Sequence, residues 1–227
     1  MGKKNSINKL TSEKVYNIIR ERVITGSLKP GDKIFDQEIA EELNVSRTPV
    51  REAIKMLEQQ QVVRSIPGKF TVVDDIPNNA IEQWYEPMLI LQKLATKQAA
   101  KYVTDKDIAD LEKLNKTFIL ETKNHKTPLE CLKADKAFHD KILELSRNLV
   151  VIEFCKTLWI HILRLELRYF ENKGTFVDSI SHHQQLIDSF RLHDGYSASL
   201  AMEMNWNNTI IGVNNVIVME KEKHPKK

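Results

Sequence analysis

The residues that force a chain to turn are unevenly spread along this one, and their placement limits what it can fold into. Gly26, Pro30-Gly31, Pro49, Pro67-Gly68 and Pro77-Asn78-Asn79 all fall within the first eighty residues. Beyond that point Gly and Pro become rare and apolar residues recur at helical spacing. Nothing in the second half alternates apolar and polar residues over a useful length, which argues against a sheet there. No internal repeat or low-complexity tract interrupts the chain. The change of texture over 74–79 marks a boundary, giving one domain at residues 1–76 and a second, all-helical one at 77–227.

The first domain reads element by element. A helix runs from Thr11 or Ser12 to about Thr25, with Ser12 as its N-cap and Val15, Ile18, Ile19, Val23 and Ile24 as its apolar stripe. Lys29-Pro30-Gly31-Asp32 is a turn. Asp36 is placed to cap a short helix over Gln37–Leu43, and Asn44-Val45 is a tight connection. Ser46 is placed to cap a third helix reaching about Gln60, which buries Val50, Ala53, Ile54 and Leu57. Val62-Val63 and Phe70–Val73 are β-prone runs flanking a hairpin tip at Ser65–Lys69. Three helices and a short β-hairpin in this order make a winged helix-turn-helix, and the fold class expected is mainly α.

Such a unit reads DNA by inserting the N-terminal end of its last helix into the major groove. That end reads Ser46-Arg47-Thr48-Pro49-Val50-Arg51. Arg47, Thr48 and Arg51 share one exposed face. Arg takes guanine or phosphate bidentately, and Ser and Thr hydroxyls suit phosphate oxygens. Bulk charge contributes little. The formal net charge is only +3, and the first 76 residues carry 13 Lys/Arg against 11 Asp/Glu. Any nucleic-acid contact must come from local placement of Arg and Lys.

Residues 11–73 resemble the GntR family of bacterial regulators. The residues that carry the resemblance are Ile24, Gly26, Leu28, Pro30-Gly31-Asp32, Ile39-Ala40, Leu43, the run Val45–Ala53, and Leu57-Glu58. It implies that Ser46, Arg47, Thr48 and Arg51 contact an operator in double-stranded DNA. It also implies that the wing tip, Gly68 and Lys69, approaches the minor groove. Two departures stand out. Gln61 occupies a position that is usually Gly after the recognition helix, and the wing lacks a Gly near Phe70.

Six helices are expected in the second domain, near 79–103, 105–124, 128–146, 149–171, 175–193 and 195–219, packed as an antiparallel bundle. Thr127-Pro128 is an N-cap followed by Pro at the first helical position. Gly174 and Gly195 separate the last three helices. Asp135 and His139 stand at i and i+4 on one helix, and His183 lies on a later one. A carboxylate and imidazoles on neighbouring helices can hold a divalent transition metal, although such a pair also serves as an ordinary surface pair or core histidine.

Residues 79–219 resemble the FCD effector domain found in the FadR-like branch of the GntR family. The match includes Ala95, Ala99-Ala100, Asp135, Phe138-His139, Asn148, His183, Asp194, Ala198 and Met202. The resemblance implies a metal site of one Asp and three His, for zinc or nickel. Three ligands map onto Asp135, His139 and His183. The fourth maps onto Asn205, a weaker donor, with His161 and His182 open as substitutes. The resemblance also implies a small-molecule effector, carboxylate-type in many members. Such members often carry an Arg and, four residues later, a Glu in the first helix of this domain. Met88 and Gln92 stand there instead. Arg164 and Arg168 share a face of the fourth helix with His161 and are either the substitute anchor or solvated.

Taken together, the expectation is an operator-binding homodimer whose DNA affinity a small molecule changes, and not an enzyme. The alternatives are a metal-dependent enzyme or a metal-sensing regulator using Asp135, His139 and His183. The N-terminus, Met1–Asn8, is polar, and no apolar run reaches bilayer-spanning length. Cys131 and Cys155 are far apart and read as buried thiols in a reducing compartment. The protein is therefore expected to be soluble and cytoplasmic, with no membrane partner.

Overall fold

The structure is a computed structural model that describes residues 11–124, 127–169 and 176–223. The chain separates into two compact units, with the division between Asn78 and Asn79.

The first unit contains α1 (Ser12–Ile24), β1 (Lys33–Ile34), α2 (Asp36–Glu42), α3 (Arg47–Gln59), β2 (Val63–Ile66) and β3 (Phe70–Val73). Its core is built where the apolar stripe of α1 (Val15, Ile19, Val23) meets Val50, Ala53, Ile54 and Leu57 of α3. Val62, Val63 and Val73 extend that core under the strands. Burying such aliphatic side chains contributes about 1.5–3 kcal/mol each, which makes the α1–α3 contact the foundation of the unit.

Several local expectations need correction. The wing is a three-stranded antiparallel sheet ordered β1-β3-β2, with Lys33 opposite Val72 and Ile66 opposite Phe70, rather than a lone hairpin. β1 is two residues long, too short for any periodicity to show. Thr11, not Ser12, caps α1 by accepting from the Lys14 N–H. Ser46 holds the extended cap conformation at the start of α3 but its side chain makes no cap hydrogen bond. Asp36 caps nothing: it is the first residue of α2, and its carboxylate is drawn to two arginines of α3.

The second unit contains a π-helical turn (Ile81–Tyr85), α4 (Glu86–Ala99), α5 (Asp105–Lys123), α6 (Pro128–Ser146), α7 (Leu149–Tyr169), α8 (Phe176–Arg191) and α9 (Gly195–Lys223). The first expected helix is thus continuous but opens with a π-helical turn. Pro87 lies in the first turn of α4 and has no N–H to donate to the preceding turn, so the register loosens just before it. Thr104–Asp107 and Thr127–Glu130 form reciprocal capping boxes that start α5 and α6. The expected break at Gly174 lies outside the described residues, as does the polar Met1–Asn8 stretch.

α4 packs against α6 and α9, and α5 against α6 and α8. This leaves one face of α4, α5, α6, α7, α8 and α9 lining a common interior. At Gly195 a side chain would come within 3.0 Å of the Lys97 carbonyl, so glycine lets α9 begin hard against the end of α4. Among the described residues no helix is long and apolar enough to cross a membrane.

Candidate functional site

The exposed face of α3 follows from its pattern. Val50, Ala53, Ile54 and Leu57 turn inward, which leaves Ser46, Arg47, Thr48 and Arg51 exposed at the helix N-terminus. The free N–H groups and positive dipole end of α3 lie beside them. Because the Ser46 side chain makes no cap hydrogen bond, its hydroxyl is available to an incoming acceptor.

The wing projects next to this face. At its tip the Lys69 N–H donates to the Ile66 carbonyl at 3.0 Å, closing a turn with Pro67 second and Gly68 third. Gly68 has φ 72°, a conformation that glycine adopts without penalty. A cleft of about 510 Å³ separates helix and wing, lined by Asp36, Arg47, Arg51, Lys55, Gly68 and Lys69 among others. Asp36 pairs with both Arg47 and Arg51 of α3 beside this cleft. Burial pushes its carboxyl pKa up, but hydrogen bonds from Arg51 and Arg47 outweigh that and hold it below the usual range.

The second constellation lies inside the helical unit. Asp135 and His139 come from α6, His183 from α8 and Asn205 from α9. Donor atoms of Asp135, His139 and His183 all lie within 4.8 Å of one another. His183 Nε2 is 3.3 Å from Asp135 Oδ1, and His139 Nε2 is 3.8 Å from Asp135 Oδ2. His183 is wholly buried, His139 nearly so, and Asp135 partly. Asn205 is buried and near enough to His139 to stabilise its charged form. His161 and His182 are not in the cluster. His161 instead stacks on Trp84 with centroids 4.5 Å apart.

The protonation pattern suits a cation. His183 Nδ1 lies 3.2 Å from Asn115 Oδ1, an atom that can only accept, so this ring donates there and turns its Nε2 lone pair toward Asp135. Two lone pairs then face each other at 3.3 Å with only a second proton or a metal ion able to join them. Burial holds the His139 imidazole down at about 4, partly countered by Asp135, so it is neutral and able to ligate near pH 7. Burial pushes Asp135 up, but His139 and His183 outweigh it and keep the carboxyl ionised. Asp135 Oδ1, His139 Nδ1, His183 Nε2 and Asn205 Nδ2 are buried without hydrogen-bond partners among the described residues. The indole N–H groups of Trp159 and Trp206, whose rings flank His139 at 5.9 and 5.5 Å, are unpartnered too. Native interiors pair more than 90% of such groups, so this concentration fits a site built for a ligand. The residues present fit a divalent ion with three protein ligands.

The other sequence candidates are dispersed. Arg164 is buried, so the solvated reading fails for it, whereas Arg168 is exposed. Met88 and Gln92 are both fully buried, and the Gln92 side-chain oxygen Oε1 has no hydrogen-bond partner among the described residues. Three residues were missed. Asn115 orients His183, and Glu166 is a buried carboxylic acid 3.4 Å from the Tyr85 hydroxyl. Burial, then Asp135, raises Glu166 well above the usual carboxyl range. A signal existed for two of them. Asn115 interrupts the apolar stripe Ile108, Leu111, Phe118, and Glu166 interrupts the apolar run of α7.

The model of the bacterial regulatory proteins of the gntR family matches residues 11–73, and that of the FCD domain matches residues 83–208. The chain belongs to the GntR family and carries an FCD domain. This GntR-family chain is 29% identical to the Uxu operon regulator of Haemophilus influenzae, over 68% of its own length and 61% of that protein. It is 32% identical to the Nta operon transcriptional regulator of Aminobacter aminovorans, over 53% and 56% of the two chains. The chain thus spans about three-fifths of the length of these curated relatives. In fold it is similar to E. coli McbR/YncC, with a TM-score of 0.78 and 20% identity over 90% of this chain and 97% of that one. The unusual Gln61 can now be placed. It has φ 56°, the left-handed conformation that explains why the family favours glycine there.

Proposed function

We propose that this GntR-family chain is a transcriptional regulator that binds operator DNA as a homodimer and responds to a small molecule in its FCD domain. The observation that carries the reading is the joint presentation of Ser46, Arg47, Thr48 and Arg51 on α3 beside Gly68 and Lys69 on the wing, around one open cleft. The α3 side chains would enter the major groove, and the wing tip would meet the neighbouring phosphates or minor groove.

Dimerisation is supported by the surface of the FCD domain. α4 and α9 are joined by the Lys93–Glu203 ion pair at 2.5 Å, and both leave large apolar side chains exposed: Ile90 and Leu94 on one, Tyr196, Leu200, Met204 and Ile211 on the other. An apolar surface of this kind favours burial against a second copy, and a two-fold protein suits a near-palindromic operator.

Asp135, His139 and His183 would hold a zinc or nickel ion, with Asn205 beside the fourth position. When bound, the ion would supply a fixed positive charge for an oxygen-bearing, carboxylate-type effector. That charge replaces the arginine missing at Met88. Asn115 sets the His183 tautomer, and the surrounding indoles exclude bulk water.

The test is in vitro selection of duplexes from a random-sequence library by the full-length protein, with light scattering and elemental analysis of the purified sample. Enrichment of a two-fold-symmetric sequence by a dimer is the expected result. Enrichment of nothing would refute operator binding. A monomer, with or without the selected duplex, would refute the assembly.

A further inference from the structure

Asp36, expected from the sequence to cap α2, acts on α3 instead. Its carboxylate reaches from α2 to α3 and accepts three hydrogen bonds: from Arg47 Nη2 to Oδ1 at 2.8 Å and to Oδ2 at 3.0 Å, and from Arg51 Nε to Oδ2 at 2.6 Å. The three side chains differ in exposure. Asp36 is 21% exposed, while Arg47 and Arg51 are 51% and 65% exposed. The anion therefore sits low in the cleft between helix and wing, with the two guanidinium groups above it facing outward. The Arg51 contact uses Nε, which leaves its terminal pair of nitrogens free for an end-on fork to a base or phosphate.

We infer that Asp36 is a positioning and specificity-determining residue for DNA reading, acting through Arg47 and Arg51 and resting on the operator-binding role proposed above. Two physical effects follow from the geometry. First, each free arginine carries about 2 kcal/mol of rotamer entropy, and the carboxylate removes much of that freedom before DNA arrives. Preordered forks favour a duplex with acceptors in the matching places over one without. Second, the carboxylate cancels one of the two positive charges, which weakens the sequence-independent attraction to phosphate. Charge cancellation lowers affinity for every sequence alike, whereas ordering raises it for the right sequence over the others, so it is the ordering that widens the ratio between them.

The experiment uses full-length wild type, Asp36→Asn and Asp36→Glu, each passed through selection from the same random-sequence duplex library. Binding is then measured to the wild-type-selected duplex and to a scrambled duplex across a range of salt concentrations, with circular dichroism checking the fold. Asp36→Asn should bind the scrambled duplex about fivefold more tightly, with a salt slope steeper by about one unit, as expected for one uncancelled charge. The ratio of selected to scrambled affinity should fall by about tenfold, and the enriched sequences should become less defined. Asp36→Glu keeps the charge and should restore the slope. Equal tightening on both duplexes would show that Asp36 only masks charge and would overturn its role in specificity. An unchanged ratio with lowered stability would reduce it to a structural contact and overturn the inference equally. If the wild type enriches no sequence, operator binding itself fails, and the role of Asp36 with it.

Discussion

His139 makes the metal-free helical unit acid-sensitive in a way that can be worked out in advance. In the folded chain its imidazole takes a proton only near pH 4, because burial disfavours the charged form more than Asp135 favours it. In the unfolded chain the same group titrates near the usual 6.5. Between those values the unfolded chain binds a proton and the folded one does not, so stability falls as pH is lowered through that window. The full difference is about 3 kcal/mol, and about 2 kcal/mol of it is gone by pH 5. Tryptophan fluorescence isolates this unit, because all three tryptophans, Trp84, Trp159 and Trp206, belong to it. Buried, protonated Glu166 in the same unit acts in the opposite direction, because the unfolded chain must ionise it, so the measurement is a comparison. In urea unfolding in chelator-containing buffer, the wild-type midpoint should fall relative to that of His139→Gln between pH 7.5 and pH 5. Zinc should blunt the loss in the wild type, since a ligated nitrogen cannot take the proton. A His139→Gln profile as steep as that of the wild type would refute the reasoning, because the titrating group would then lie elsewhere.

Three further outcomes are expected. Arg47→Ala and Arg51→Ala should each weaken binding to a selected operator by about 1–3 kcal/mol if the arginine reads a base; fluorescence anisotropy that finds both unaffected would rule out the docking face. Asn205→His should tighten zinc or nickel binding in a competition assay with a chromophoric chelator, because imidazole is the better donor; unchanged affinity would count against an ion shared by Asp135, His139 and His183. Gln61→Gly should stabilise the winged unit by about 0.5 kcal/mol, because relief of left-handed strain exceeds the added chain entropy; a lowered calorimetric transition would show that the Gln61 side chain contributes more than its backbone costs.

Much of this protein follows from local rules, which is why it was legible in the sequence. The stripes Val15, Ile19, Val23 and Val50, Ala53, Ile54, Leu57 named both helix faces of the winged core, because a helix must turn its apolar side inward wherever it packs. Thr127-Pro128 started α6 within one residue, because capping depends only on neighbours. The i,i+4 spacing of Asp135 and His139 put both on one side of α6 in the same way. What the sequence left open were the contacts made across long separations. β1 exists because β3 supplies its partner thirty-nine residues away, Lys33 opposite Val72. Asp36 looked like a helix cap, since every isolated helix start has amides to satisfy. Only the packing of α2 against α3 brought two guanidinium groups nearer and bound the carboxylate more strongly. Arg164 and Arg168 are a turn apart and look alike in sequence, yet one is buried and the other exposed, because depth depends on what neighbouring helices cover. Asn115 became the orienting partner of His183 by the same cause. The sequence determined which residue types each helix presents, and the tertiary structure alone decided which of them meet.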